Sequence, residues 1–455
     1  MGTIYEEQQR PMIGDLKVTV HSTSTILPAE PTPHRTMFLC NIDQVLNFYV
    51  QTIHFFGPHP DHPHPHEAVV GKLEAALSSL LVHYDFLAGR VAVDPDSGRL
   101  VFDCNSKGIG LVVAASEYGL DDVGDLVYPN PAFEQLVPKD FFPEDKPLII
   151  FQVTSFKCGG FAIGVECNHA AFDGLSFKMF LDNLGAVTAG KPLLHEPCHD
   201  RDLLAARSPP KVTFPHHELK AIDHIPGSQL ESIAPPVFEN TEEYLDFKIF
   251  RLTGDDIGCL KCRAEDGGAK RPSGFNTVTA HIWRCKALSV AGEDEERLST
   301  LLFAVDIRPR LSPPLPRSYA GNAVLTAYAT ASCRDLRAGP LSRLVEMVKE
   351  GAARMTDEYA RSAIDWGQLH RGFPHGEFMV SSWWRLGFAD VEYPWGQPRY
   401  SCPLVYHRKE VILLFPDMDV AGAGKNDSVN VIVALPADEM AKFQTLFYEF
   451  LKESE

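Results

Sequence analysis

The segment His169-Ala170-Ala171-Phe172-Asp173-Gly174 places an imidazole four residues before a carboxylate and closes on a glycine. An imidazole titrates near neutrality, so it can take a proton from a hydroxyl that is otherwise a poor nucleophile. General base catalysis of this kind is typically worth roughly 10²–10⁴-fold. With eighteen histidines in the chain, about one such spacing is expected by accident, so placement matters more than spacing. Residues 161–168 read as a strand that delivers His169 at its end, where a side chain leaves the sheet. Gly174 then opens a helix marked by Phe177, Phe180, Leu181 and Leu184. Asp173 can orient the ring or hold the loop. The plainer alternative makes His169 a loop histidine and Asp173 a helix N-cap, and the local sequence leaves both readings open. No Gly-x-Ser-x-Gly elbow accompanies the pair, which disfavours a serine acyl-enzyme.

The elements around this loop form a mixed pattern. A helix is expected near 69–83, and hairpins at 91–102 and 148–168, the second turning at Lys157-Cys158-Gly159-Gly160. A proline-rich stretch runs from Lys191 to about Asp223. Strands follow at 245–252, 301–306, 411–415 and 429–435, with helices at 276–288, along Leu344, Met347, Val348, Met355 and Tyr359, and at Met440 to Phe450. Helices and strands alternate without strict βαβ rhythm. The expected fold class is therefore α/β, with two similar-sized mixed-sheet sandwich domains joined by a long crossover loop. The boundaries fall at 1–195 for the first domain, 196–223 for the crossover and 224–455 for the second.

Composition narrows the function. The chain has 455 residues, 45% of them hydrophobic, and a net charge of -18, which disfavours nucleic acid and anionic membrane surfaces as partners. No apolar run approaches the length of a membrane span and the N-terminus lacks an apolar signal core, so the cytoplasm is the expected compartment. Ten scattered cysteines read as buried free thiols, and the lone Cys259-Leu260-Lys261-Cys262 falls in an expected helix. The run from His59 to His66 is proline-broken and reads as an exposed loop, so no metal site is expected. No Gly-x-Gly-x-x-Gly follows a strand and no Walker loop is present, so nicotinamide and nucleoside-triphosphate chemistry lack support.

Several ordered blocks then bear on function together. His169 to Gly174 matches HxxxDG. Phe275-Asn276-Thr277-Val278-Thr279-Ala280-His281-Ile282-Trp283 opens a helix. Asp306-Ile307-Arg308-Pro309-Arg310 precedes Tyr319-Ala320-Gly321-Asn322, and Ser382-Trp383-Trp384-Arg385-Leu386 precedes Glu392-Tyr393-Pro394-Trp395-Gly396. In these blocks, and nearly end to end, the chain resembles the BAHD acyltransferases of plants. The resemblance implies an acyl-coenzyme A donor as co-substrate, a small alcohol or amine acceptor, no cofactor, no metal and a monomer. It makes His169 the base in a ternary complex, with Asp173 turned away from the channel and held through an arginine. Ser382 and Trp384 become acceptor-channel positions.

At the family's DFGWG position this chain keeps Trp395 and Gly396, has Glu392 for Asp, and has Pro394 for the first glycine. Arg308 or Arg310 is expected to pair with Glu392. Residues 200–210, Asp200-Arg201-Asp202 onward, are similar to the branch that moves hydroxycinnamoyl groups to ω-hydroxy fatty acids and fatty alcohols. The alternative of another class is a non-catalytic family member acting as a partner of fatty-acid elongation.

Overall fold

The computed structural model describes residues 3–4, 13–58, 65–127, 130–139, 141–221, 243–290, 292, 294–404, 408–417 and 427–452. Most of the His59 to His66 run, and the end of the expected crossover, lie outside them.

Two mixed sheets organise the chain. The first has six strands in the order Tyr400–Pro403, Tyr49–Phe56, Phe161–Asn168, Ile149–Ser155, Ile109–Ser116, Val18–Ile26. All neighbours are antiparallel except the parallel pair Ile109–Ser116 and Ile149–Ser155. The second has seven strands in the order Thr3–Ile4, Asp246–Leu252, Val429–Leu435, Val411–Pro416, Phe378–Ser382, Leu298–Asp306, Val324–Ser332. Each sheet thus takes a strand from the far end of the chain. Both outcomes fit the expected α/β class.

Amphipathic helices cover the sheets. Pro65–His83 and Gly174–Thr188 pack their apolar stripes, Leu73, Leu77, Leu80 and Phe177, Phe180, Leu184, on the first sheet. Each fully buried side chain of this size contributes roughly 1.5–3 kcal/mol. On the second sheet Gly274–Ser289 buries Trp283, whose Nε1 donates to Ser299 Oγ at 3.0 Å. Ala437–Lys452 seats Phe443 and Phe447 around Phe250. Among the described residues no helix is long and apolar enough to cross a membrane.

The long helix expected through Leu344 and Tyr359 is two helices, Leu341–Arg354 and Asp357–Leu369. Thr356 caps the second through its side chain, which accepts from Tyr359 N–H. Arg310 donates to the carbonyls of Ala352 and Met355, satisfying the end of the first.

The crossover is strapped along Asp357–Leu369. Arg207 pairs with Asp365 at 2.6 Å and Glu358 at 2.9 Å. His216 bridges Ser362 Oγ and Glu218, and Tyr359 donates to Glu218. All these groups satisfy one another, so the cluster is a clasp.

Candidate active site

All eight residues of Phe161–Asn168 are buried, and the strand ends in a tight turn. His169 N–H donates to Phe48 O at 2.8 Å, Asn168 Oδ1 accepts from Ala170 N–H at 3.0 Å, and Asn168 Nδ2 donates to Asn47 Oδ1 at 2.8 Å. The His169 ring emerges half-buried against Phe48, with centroids 5.3 Å apart. Its Nδ1 is enclosed, with the Asn322 side chain and the residue's own backbone as the polar groups acting on the ring. Burial pushes the imidazole below the ordinary histidine range, against weaker opposing effects that include the carboxylates of Asp173 and Asp43. The ring is therefore neutral, and competent to accept a proton, at physiological pH.

Asp173 is buried and does not touch the ring. Its Oδ1 caps Gly174–Thr188 by accepting from Ser176 N–H at 2.9 Å, and its Oδ2 accepts from Ala323 N–H at 2.9 Å. Arg308 Nη2 lies 2.8 Å from Oδ2 and also donates to Ser176 Oγ and the Gly321 carbonyl. Arg308 Nη1 reaches Asp306 at 3.1 Å. The carboxylate is thus both helix cap and half of a buried ion pair, which holds the loop from the side away from the ring.

Two expectations about arginine need correction. Arg308 is committed to Asp173 and Asp306, and Arg310 to the helix end at Ala352 and Met355. Neither pairs with Glu392, which is exposed and makes no ion pair among the described residues. The block at 392–396 acts through its backbone and rings instead. The Tyr393 carbonyl accepts from Gly396 N–H at 2.9 Å, a four-residue turn with Pro394 second and Gly396 at φ 98°. That second position suits proline, which needs no N–H there. Tyr393 and Trp395 stack at 5.2 Å and meet Phe56 edge-on, propping the first sheet. The Glu392 carbonyl sits so close to Gly185 that a Cβ there would lie 2.4 Å away, so the block also seats the helix capped by Asp173.

A cavity of about 50 Å³ opens beside His169, walled by Thr52, Cys167, Phe172, Trp383 and Phe388. A larger one, about 220 Å³, is lined by Asn47, Arg99, Glu218, Trp366 and Arg371 among others. Asn47 links the second to the turn that carries His169. Of the two positions expected to line a channel, Trp384 is buried in the core, its Nε1 donating to Ser428 O at 2.9 Å. Ser382 ends its strand half-buried and lines neither cavity. Trp383, between them, is the residue of this stretch that lines the cavity beside His169. Where the strand ends, direction no longer follows from counting residues.

Sequence reading also missed the underside of the loop. Arg201 and Asp43, both buried, pair at 2.7 Å and lie with Asn322 beneath residues 169–171. Arg201 stands in the string Asp200-Arg201-Asp202, whose likeness to the hydroxycinnamoyl branch gave no sign of a buried ion pair. Among the described residues no group of three or more His, Cys, Asp or Glu could hold a metal.

Residues 16–450 match the model of the family described as Transferase. The chain is 56% identical over 466 residues to Acyltransferase GLAUCE of Arabidopsis thaliana, covering 99% of this chain and all of that protein. It is 31% identical over 446 residues to the fatty alcohol:caffeoyl-CoA acyltransferase of the same plant, covering 94% and 98%. The solved structure of vinorine synthase superposes with a TM-score of 0.73 at 25% identity, over 94% of this chain and 96% of that one. With the family model spanning the site loop and both sheets, the chain belongs to this transferase family, the BAHD acyltransferases, and is an acyl-CoA-dependent enzyme.

Proposed function

We propose that the protein transfers a hydroxycinnamoyl group from coenzyme A to the hydroxyl of a long-chain acceptor such as an ω-hydroxy fatty acid or a fatty alcohol. His169 takes the acceptor's O–H proton, and the oxygen attacks the thioester carbonyl carbon. The carbonyl π pair moves onto oxygen to give a tetrahedral intermediate. Its collapse breaks the C–S bond, and the thiolate receives the proton from His169. No acyl-enzyme, metal or cofactor takes part, and the protein acts as a cytoplasmic monomer.

The observation that carries this reading is a histidine lining an aromatic-walled cavity, with the HxxxD carboxylate fully used elsewhere. The apolar wall of Phe172, Trp383 and Phe388 suits a flat acyl group or an alkyl chain. The acceptor class draws further support from the likeness to the fatty alcohol:caffeoyl-CoA acyltransferase.

The test is thiol release from feruloyl-coenzyme A with a long-chain ω-hydroxy acid, a fatty alcohol, shikimate and a polyamine, beside His169→Ala. Release with the two long-chain acceptors, reduced roughly 10²–10⁴-fold in His169→Ala, is expected. Turnover confined to shikimate or the polyamine would overturn the acceptor class. An undiminished His169→Ala would overturn the base.

A further inference from the structure

Three consecutive carbonyls of the site loop, those of His169, Ala170 and Ala171, turn toward one buried point below the loop. Asn322 Nδ2 donates to the first at 2.9 Å and the second at 3.1 Å. Arg201 Nη1 donates to the second at 3.0 Å and Nη2 to the third at 2.8 Å. Asp43 Oδ1 ties these donors together, accepting from Arg201 at 2.7 Å and Asn322 at 2.9 Å, and its Oδ2 takes the Cys40 N–H at 3.0 Å. Asp43 and Arg201 side chains are 0% and 1% exposed. The guanidinium lies near the rings of Phe86 and Phe102, and a Cβ on Gly321 would come within 3.1 Å of its central carbon. Space and partners both demand a planar fork.

We propose that Arg201, with Asp43 and Asn322, is a positioning residue that sets the height and tilt of the His169 ring above the cavity. The inference rests on the general-base reading of His169. Three segments distant in sequence meet here: the short helix Asn41–Gln44, the crossover at Arg201 and the residue after Gly321. Parallel carbonyls repel one another, so without the fork the loop relaxes and the ring leaves its place. A lysine offers one nitrogen and cannot span two carbonyls and a carboxylate.

The test is Arg201→Lys, which keeps the charge opposite Asp43, measured alone and combined with His169→Ala. A displacement of about 1 Å costs on the order of 10²-fold, so kcat should fall about 10- to 100-fold. The KM values for donor and acceptor should stay within about twofold. The acidic limb of the pH–rate profile should move toward the ordinary histidine range as the ring becomes more solvated. In the His169→Ala background Arg201→Lys should have no further effect, because it acts through that ring. A kcat within about twofold of wild type, or losses that multiply, would overturn the proposal. Asn322→Ala leaves the Arg201–Asp43 pair intact and carries the same readouts if Arg201→Lys does not fold; full activity there is equally fatal. His169→Ala at the wild-type rate removes the base reading itself. An inactive His169→Ala beside a fully active Arg201→Lys removes only the positioning role.

Discussion

Replacing Asp173 by Asn distinguishes two jobs a carboxylate near a catalytic histidine can do. The substitution keeps the shape and one carbonyl oxygen. With that oxygen at the Oδ1 position, the cap on Ser176 N–H survives, and so does one bond from Arg308. The new NH₂ group then faces Ala323 N–H and Arg308 Nη2, which had met Oδ2 at 2.9 and 2.8 Å. The opposite amide flip strands Ser176 N–H instead, so neither orientation escapes. One buried N–H left unmade costs about 1–3 kcal/mol, and a lost charge-assisted bond about 2. Arg308 keeps Asp306 at 3.1 Å, which limits the damage to about 4 kcal/mol in all. With an unfolding entropy of about 2.1 cal/mol/K per residue, a chain of 455 residues loses about 1 °C per kcal/mol, so the melting temperature should drop by ~4 °C. Well below that transition kcat should fall by no more than about tenfold, since the carboxylate does not hold the ring. Calorimetry beside steady-state kinetics reads both. Unchanged melting with a loss of about 10⁴ in kcat, as for a carboxylate that fixes an imidazole tautomer, would refute the reasoning.

Burial holds His169 below the ordinary histidine range, so kcat/KM should stay at its plateau as pH falls through about 6.5 and decline only below it; an acidic limb at or above that value would contradict the site as described. Burial also keeps His54 neutral, its pKa lowered to about 4, and His281 likewise, to about 3 with Arg263 and Arg284 adding to the effect. The unfolded chain binds these protons near 6.5 and the folded chain does not, so stability is lost as pH falls from there toward 4. The slope is about 1.4 kcal/mol per pH unit for each histidine, and melting temperatures flat between pH 7 and 5 would count against it. Gly185→Ala drives a Cβ to 2.4 Å from the Glu392 carbonyl, for which a cost of about 1–3 kcal/mol and reduced kcat are expected; urea denaturation matching wild type would show that the block does not seat the helix. Pro394→Gly should lower stability by about 0.4–1 kcal/mol with kcat within about twofold, and a gain in donor affinity above tenfold would mean the proline distorts the site.

The hairpin ending at Asn168 and the helix beginning at Gly174 were legible because apolar runs, a Gly-Gly turn and 3.6-residue spacing agree there. The neighbouring strand Tyr49–Phe56 was not. Thr52 and His54 are buried on it, with His54 Nδ1 bonded to Ser401 Oγ at 2.9 Å, so polar residues occupy positions a pattern reader assigns to solvent. Thr356 looks like an ordinary helix residue until its capping bond is seen. His169 and Asp173 were found because their spacing is local. Asp43 meets Arg201 and Asn322 under the same loop across 158 and 279 residues of sequence, and no one-dimensional signal joins them.

The strand Tyr400–Pro403 lends its register to Tyr49–Phe56, pairing Cys402 with Ile53 and Tyr400 with Phe55. During synthesis, therefore, the sheet that carries His169 waits for nearly the whole chain to emerge before its outer edge is closed. Until then Tyr49–Phe56 presents an apolar, unpaired border, the kind of surface on which nascent chains pair wrongly or recruit chaperones. A stop codon or frameshift anywhere before residue 400 leaves that border open even where every residue of the site loop has been made. Late truncations should accordingly be lost to aggregation and proteolysis rather than persist as weak enzymes.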